Sequence, residues 1–200
     1  KTQVLPYNTK LIKKAINFEL KRKGQVYFLH NKVQTIETKT QQIKELSPRA
    51  KIGTIHGRMH EKQLIKIMDD FQKEKTNILV ATTIIENGLD LPNVNTIIVE
   101  DATRLGLSQA HQIRGRVGRS NTDSFAYFLY NQKSLTTAAK ERLRALEDAK
   151  ELGAGYRVAI KDLELRGAGN ILGKEQSGAI NKIGLNLYSQ ILSEAVEKLR

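Results

Sequence analysis

The sequence predicts an α/β fold in which a mostly parallel β-sheet is covered by helices on both faces. Short apolar segments rich in β-branched and aromatic residues recur along the first 130 residues. Segments whose apolar residues follow helical spacing separate them, and this alternation is typical of right-handed βαβ crossovers. Hydrophobic residues make up 40% of the 200-residue chain, so one core of ordinary size is expected.

The first predicted helix, over residues 10–23, carries a basic face. Ile12 and Ile16 follow helical spacing and mark the side that packs on the sheet. Four lysines fall on another side of the helix: Lys10, Lys13, Lys14 and Lys21. Gly24 ends the helix, and the VYFL segment at 26–29 is typical of a buried strand.

Four more strands and three more helices continue the alternation. The predicted strands are KIGTI at 51–55, NILVA at 77–81, VNTIIV at 94–99 and FAYFLY at 125–130. The predicted helices cover residues 34–46, 60–72 and 108–117. Helical segments of this length can return the chain to the start of a parallel neighbour strand.

Beyond residue 134 the pattern changes, and no further strand is evident in the sequence. A charged helical segment ended by Gly153, a second helical stretch, a glycine-punctuated loop and a final amphipathic helix follow one another. We therefore expect an α/β domain at 1–134 and a helical-hairpin extension at 135–200.

Composition and charge exclude some classes of protein and favour others. There is no cysteine, which excludes a disulfide framework and a cysteine-ligated metal site. No apolar run approaches the roughly 20 residues of a membrane span, so we expect a cytoplasmic location. The first 50 residues hold 11 basic and 3 acidic side chains, a net charge of +8 out of +12. Such a surface suits a polyanion such as nucleic acid, and a solvated lysine-rich surface is the alternative.

The most specific segment is QIRGRVGRS, at residues 112–120. Arg116 and Arg119 are three positions apart, so on a helix both side chains project from one face toward one target. The guanidinium fork matches phosphate oxygens, and Gly115 and Gly118 let the backbone come close. The alternative is an exposed basic helix with ordinary surface ion pairs.

This string resembles motif six of the superfamily-two helicases and translocases, Q-x-x-G-R-x-G-R, and matches it completely. The resemblance implies a RecA-like fold for the sheet domain. It also implies that Arg116 and Arg119 are arginine fingers, which reach the γ-phosphate of ATP held by a partner domain. By the same resemblance Gln112 helps to couple the nucleotide site and Gly115 lies beside the nucleotide.

Residues 78–99 resemble motif five of the same superfamily. Thr82 and Thr83 follow a predicted strand, and ligands of such sheets bind beyond the carboxyl ends of the strands. The resemblance implies that both threonines hold a DNA phosphate, while Gly88 and Asp90 meet the ATP ribose or an arginine finger. In the alternative, the threonines cap a short helix and Asp90 closes a turn.

Two weaker segments resemble motif four and the backbone-contact motif that follows it. They are VYFLHNKV at 26–33 and the pair His56 and Gly57 in TIHGRM. The resemblance implies DNA contacts at His56 and Gly57. A lone histidine is more often a hydrogen-bonded residue at a strand end, and that alternative stays open.

The segment 157–178, RVAIKDLELRGAGNILGKEQSG, resembles the region that follows the motor in duplex-DNA translocases of superfamily two. The resemblance implies a helical hairpin and a loop that convert ATP-driven closure into movement along DNA, with Arg166, Gly167 and Gln176 in that role. The amino-acid sequence of this segment is closer to the translocases that couple transcription to repair than to RecG.

Half of a complete motor is missing from the sequence. Gly173 and Lys174 do not form a phosphate-binding loop, because that pattern needs glycine and a hydroxyl residue where Ala168 and Glu175 stand. The acidic pair at 100–101 follows a predicted strand but has no such loop to serve. We therefore expect a preceding RecA-like domain to bind most of the ATP and Mg²⁺, and this chain alone to be inactive.

The function that the resemblance implies is that of the second motor domain of an ATP-dependent double-stranded DNA translocase. The parent protein would displace stalled RNA polymerase and recruit nucleotide-excision repair proteins through other domains. Two alternatives stay open: a RecG-like enzyme that remodels branched DNA, and a non-catalytic RecA-like module that binds nucleic acid or protein. The intact Gln112, Arg116 and Arg119 argue against the non-catalytic module.

Overall fold

A parallel six-stranded sheet forms the centre of the molecule. The computed structural model describes residues 1–82, 94–115 and 123–148. The strands are β1 (Thr2–Pro6), β2 (Gln25–Leu29), β3 (Ile52–Ile55), β4 (Ile78–Ala81), β5 (Val94–Val99) and β6 (Phe125–Tyr130). They lie in the order β1-β6-β5-β2-β4-β3, and every neighbouring pair is parallel. The predicted α/β class is confirmed.

Among the described residues, five helices cover the two faces of the sheet. They are α1 (Thr9–Lys21), α2 (Ile36–Leu46), α3 (Glu61–Gln72), α4 (Leu107–Arg114) and α5 (Thr137–Asp148). Short 3₁₀ turns lie at Val33–Thr35, Ala102–Arg104 and Gln132–Ser134. Helices α1 and α2 pack on one face, and α3, α4 and α5 pack on the other. No helix within the described ranges is long and apolar enough to span a membrane.

Strand β2 shows why the two cores form. Its residues are all buried, because a central parallel strand is covered on both sides. Val26 and Phe28 point into the core under α1 and α2, whereas Tyr27 and Leu29 point into the core under α3 to α5. This is the two-residue alternation of any strand, with apolar side chains on both faces instead of one.

Five of the six strands were predicted from the sequence and one was missed. Strand β1 has only two large apolar residues, Val4 and Leu5, and none of its residues is fully buried. It is an edge strand paired with β6 alone, and Pro6 is tolerated because it ends the strand at the edge. A segment whose partner lies more than 120 residues away leaves little local signal.

Helix α5 packs on the sheet with α3 and α4. Its Leu143 and Leu146 are buried in the same core as Ala110 and Ile113 of α4, and Arg142 donates a hydrogen bond to the carbonyl of Thr103 at 3.1 Å. The helix predicted to begin after residue 134 is therefore present over Thr137–Asp148. The division into domains at residue 134 stays a prediction, and the elements predicted after α5 lie outside the described residues.

Candidate functional site

All strands of a parallel sheet end at the same edge, here called the carboxyl edge. His30 follows β2, His56 follows β3, Thr82 follows β4 and Glu100 follows β5. The sheet therefore gathers these polar residues along one side, where ligands of this architecture bind. Thr82, His56 and Gly57 are thus brought to one edge, although the sequence places them in two separate segments.

Thr82 lies at this edge, and its hydroxyl is buried without a hydrogen-bond partner among the described residues. The residue is 4% exposed, and its backbone is held by a bond from Thr82 N–H to the carbonyl of Ile55 at 3.3 Å. Its Oγ1 has no hydrogen-bond partner within the described parts of the chain. A buried hydroxyl without a partner loses its hydration, so a donor or acceptor supplied by another group would be bound favourably here.

His56 closes the turn after β3. Its Nδ1 accepts a hydrogen bond from the Arg58 N–H at 3.3 Å, and its carbonyl accepts one from the Met59 N–H at 3.1 Å. This is the hydrogen-bonded role that the sequence left open beside a DNA contact. Gly57 and Arg58 are exposed, so the backbone of the turn is accessible from outside.

A network that the sequence did not predict joins β2 to β5. His30 Nδ1 is paired with Glu100 Oε2, and His30 Nε2 bonds to Thr35 Oγ1 at 2.8 Å. Lys39 of α2 reaches the other carboxylate oxygen of Glu100 at 2.7 Å, and its Nζ lies 3.3 Å from the hydroxyl of Tyr7. The network fixes both ends of the loop after β2, which carries the segment similar to motif four.

The charges of this network stabilise one another. Burial disfavours the charge on Glu100, but bonds from His30 and Lys39 outweigh burial and lower the pKa of the carboxyl. Burial likewise disfavours the charge on Lys39, and the bond to Glu100 outweighs it and raises the pKa of the amine. The pair is therefore ionised at neutral pH, and neither charge is free to bind a ligand.

A cavity of about 720 Å³ opens beside the network at the carboxyl edge. Asp101 in its wall is in the left-handed region at φ 57° and is paired with Arg104 at 2.7 Å. Lys32 and Lys133 also line the cavity, and both are exposed. The acidic residues of the wall are thus neutralised, and the remaining charge at the rim is positive.

The end of α4 lies at the opposite side of the sheet, here called the amino edge. Arg114 lines a cavity of about 490 Å³ with Lys1, Ser124 and Phe125, at the starts of β1 and β6. Gln112 and Gly115 are exposed. Burial lowers the pKa of Arg114, and burial together with the charge of Arg114 lowers the pKa of His111. The structure therefore separates Gln112 and Gly115 from Thr82 and His56.

Several predicted site residues lie outside the described residues. They are Thr83, Gly88, Asp90, Arg116, Arg119, Arg166, Gly167 and Gln176. Sequence reasoning had set Glu100 aside for want of a phosphate-binding loop, and Lys39 had no motif to mark it. In the sequence, two features pointed to the network that contains Glu100 and Lys39. They are the histidine in VYFLHNKV and the acidic pair that follows a predicted strand. Within the described ranges, no group of three histidine or acidic side chains is placed to hold a metal ion.

The sheet, its connections and the sequence are those of a helicase-type C-terminal domain. Residues 8–121 match the family model of the helicase conserved C-terminal domain, and the chain belongs to that family. The chain is 51% identical over 198 residues to the transcription-repair-coupling factor of Bacillus subtilis (strain 168), covering 98% of this chain and 17% of that protein. The factor of Staphylococcus aureus (strain NCTC 8325 / PS 47) is 51% identical over 200 residues. The chain thus spans about a sixth of the length of these relatives, 17% in each.

Solved structures show the same architecture. RecG bound to a three-way DNA junction superposes with a TM-score of 0.69 at 29% identity, over 85% of this chain and 23% of RecG. Domain 2 of the DEAD-box helicase Mss116p, bound to an RNA duplex, gives 0.57 at 20% identity over 76% of this chain and 60% of that one. The C-terminal domain of the DEAD-box protein Dbp5 gives 0.54 at 17% identity, over 74% and 83%. The expected RecA-like fold is confirmed.

Proposed function

We propose that this chain is the second RecA-like motor domain of an ATP-dependent double-stranded DNA translocase. The parent protein would displace stalled RNA polymerase in the cytoplasm and couple transcription to nucleotide-excision repair. The observation that carries the proposal is the 51% identity to transcription-repair-coupling factors along 98% of the chain. The separation of Gln112 and Gly115 from Thr82, His56 and Gly57 onto two edges of one sheet supports it, because a motor must hold both ligands at once.

The nucleotide half of the proposal concerns the amino edge. Arg116 and Arg119 would stabilise the charge that develops on the γ-phosphate, with Gln112 and Gly115 beside the nucleotide and Gly88 and Asp90 completing the site. Arginine fingers raise rates by about 10³ to 10⁵ in phosphoryl transfer. The sequence has no phosphate-binding loop. ATP and Mg²⁺ would therefore be held mainly by a preceding RecA-like domain.

The DNA half concerns the carboxyl edge. Thr82 and Thr83 would hold a phosphate, and the exposed turn at His56 and Gly57 would contact the backbone of the same strand. This assignment is supported by the Thr82 hydroxyl, which has no partner among the described residues and could donate to a phosphate oxygen. The His30 to Glu100 network would keep the neighbouring loop fixed while the domains open and close.

The C-terminal part, over residues 135–200, would transmit the movement. Arg166, Gly167 and Gln176 would convert closure of the two motor domains into a step along duplex DNA. RNA polymerase and excision-repair proteins would bind through other domains of the parent protein. A RecG-like remodeller of branched DNA is the second candidate, favoured by the structural likeness to RecG at a TM-score of 0.69. Its 29% identity, against 51% for the coupling factors, makes it the weaker one.

The test is ATP hydrolysis with and without duplex DNA, in this chain and in a chain extended N-terminally by one RecA-like domain. We expect the shorter chain to be inactive and the longer chain to be stimulated by DNA. Hydrolysis by the shorter chain alone would contradict a shared site between two domains. Displacement of a stalled polymerase, compared with regression of a branched junction, then separates the two candidate functions.

A further inference from the structure

Helix α1 presents a row of lysines to solvent, here called the lysine stripe. It consists of Lys10, Lys13, Lys14 and Lys21, all exposed. Within the described parts of the chain none of the four forms an ion pair. The buried side of α1, with Ile12 and Ile16, packs on the sheet, so the stripe faces away from the core. It is also distinct from the residues assigned above to DNA and ATP.

No acidic side chain of α1 offsets the stripe. The one carboxylate in the helix, Glu19, is 0% exposed. It accepts a hydrogen bond from Arg22 at 2.6 Å and another from the hydroxyl of Thr96. The Glu19 carboxylate is therefore bound by groups inside the fold and does not face the lysine stripe. The outer surface of the helix carries only positive charge.

The position of the stripe is unfavourable for the helix itself. Asn8 caps α1 by accepting bonds from the N–H groups of Lys10 and Leu11 at 2.9 and 3.4 Å. The first turn that follows holds no acidic residue. Lysines in the first two turns oppose the positive end of the helix dipole. Lys10 also repels Lys13 and Lys14, three and four residues away.

A local arrangement that costs stability is expected where a surface has a function. From Lys10 to Lys21 the stripe is about 16 Å long at 1.5 Å per residue. One strand of a duplex carries a phosphate for roughly every 3.4 Å of the duplex axis, so α1 lying parallel to that axis spans about five phosphates. Lysine ammonium groups on flexible stems suit phosphates read without sequence preference.

We propose that the lysine stripe of α1 binds the phosphate backbone of duplex DNA, as a contact additional to the carboxyl edge. The inference rests on the proposed function in taking DNA as the partner. Each lysine that neutralises a phosphate releases condensed counterions, so the stripe makes binding more sensitive to salt. It holds the duplex to the motor domain without selecting a sequence.

The test compares two triple variants of the 200-residue chain. The first carries Lys10→Gln, Lys13→Gln and Lys14→Gln. The second, a matched control, carries Lys62→Gln, Lys66→Gln and Lys140→Gln, three exposed lysines on the other helical layer that form no ion pair within the described residues. Binding of a fluorescent random-sequence duplex is followed by anisotropy at several salt concentrations, and unfolding by thermal melting.

For the stripe variant we expect the slope of log affinity against log salt to fall by about 2 to 3, at roughly 0.9 per lost phosphate contact. The control should change the slope by less than one. The melting temperature of the stripe variant should stay the same or rise by a few degrees, because cations leave the start of α1. Lower affinity together with undiminished stability shows that the loss is not a folding defect.

Other outcomes separate this inference from the proposed function. Equal slopes in the stripe variant and the wild-type chain would overturn the stripe as a DNA contact and leave the carboxyl edge in place. Equal losses in the stripe variant and the control would also overturn it, because net charge alone would explain the binding. A wild-type chain that does not bind duplex DNA at low salt would contradict both proposals. Binding of an acidic protein but not DNA would overturn the choice of partner.

Discussion

The carboxyl edge and the amino edge of the sheet differ in how their charges are used. At the carboxyl edge Lys39 and Glu100 neutralise each other, and His30 is hydrogen-bonded to Glu100 in the same network. At the amino edge Gln112 and Gly115 are exposed at the end of a helix. The first arrangement fixes the backbone, which suits contacts that tolerate any DNA sequence. The second leaves side chains accessible to a group brought by another domain.

The largest expected effect concerns the arginines of the segment that resembles motif six. In a chain extended by the preceding RecA-like domain, Arg116→Ala should lower DNA-stimulated ATP hydrolysis by about 10³-fold or more, as for other arginine fingers. DNA affinity and melting temperature should stay close to wild type. Arg144→Ala, at an exposed position of α5, is the matched control. If Arg116→Ala kept more than a tenth of the activity, the arginine-finger assignment would be wrong.

The network at the carboxyl edge predicts a stability effect. Glu100→Gln removes the negative charge and one of the two oxygens that face His30 and Lys39, and it leaves Lys39 largely buried, with 13% of its side chain exposed. We expect a loss of about 1.5 to 3 kcal/mol in the free energy of unfolding, the usual range for hydrogen bonds to charged groups. Urea denaturation measures it, with Glu141→Gln at an exposed site as control. Equal stabilities would show that the network does not hold the loop.

The same pair predicts a dependence on pH. The pKa of Glu100 is lower in the folded chain than its ordinary value of 4.5. Its contribution is therefore fully present above that value and is lost as the pH falls through the lowered folded pKa. Between pH 6 and pH 3, as rough limits, the wild-type chain should lose more stability than Glu100→Gln. Parallel curves for the two chains would contradict ionisation of Glu100 in the fold.

Two glycines at the amino edge should respond differently to alanine. At Gly24 a Cβ would overlap Oε1 of the buried Glu19 and lie 2.8 Å from its Cδ. Gly24→Ala should therefore cost about 1 to 3 kcal/mol, as overpacking does. At Gly115 a Cβ would meet, among the described residues, the carbonyl oxygens of Gln112 and His111 at 3.4 and 3.6 Å, and φ is −68°. Gly115→Ala should leave stability unchanged within about 0.5 kcal/mol.

The Gly115→Ala substitution therefore tests function, because the fold does not require glycine at this position. In the extended chain, Gly115→Ala should reduce ATP hydrolysis if the backbone must come close to the nucleotide. Full activity in a stable Gly115→Ala protein would remove Gly115 from the nucleotide site. Chemical denaturation and the ATPase assay on the same preparation give both readings.

Another small effect on stability is expected at the carboxyl edge. Thr82→Val removes a buried hydroxyl that has no partner within the described residues. We expect no loss of stability, or a gain of up to about 1 kcal/mol, because no hydrogen bond is broken. DNA binding should weaken if the hydroxyl donates to a phosphate. A clear loss of stability would show that Thr82 has a structural partner instead.

Much of the fold could be predicted because its signals are local. The central strands β2, β4 and β5 are continuous apolar runs, and such runs are readable wherever both faces of a strand are covered. Strand β1 was missed because an edge strand is only partly buried and therefore does not need a continuous apolar run. The N-terminal part of α4 was also predictable, and the structure gives the helix as Leu107–Arg114 with Gly115 as its cap.

Part of the site was predicted from sequence motifs, whereas the contacts between its residues were not predicted. Thr82, His56 and Gly57 were chosen from segments that resemble family motifs, and the structure brings them to one edge. Glu100 and Lys39 could not be chosen in this way, because they are 61 positions apart and no motif joins them. The roles of Thr82, His56 and Gly57 in binding DNA remain predictions.

The sequence by itself determined the apolar runs, the helical spacings, the basic face of α1 and the arginine string, since each depends on neighbours within a few turns of chain. Only the tertiary structure decided which polar residues meet. Parallel pairing places the ends of β2 and β5 side by side, and helix α2 brings Lys39 to both. The same crossovers send α4 from the carboxyl edge back to the amino edge. Distance along the chain therefore says little about which side of the sheet a residue occupies.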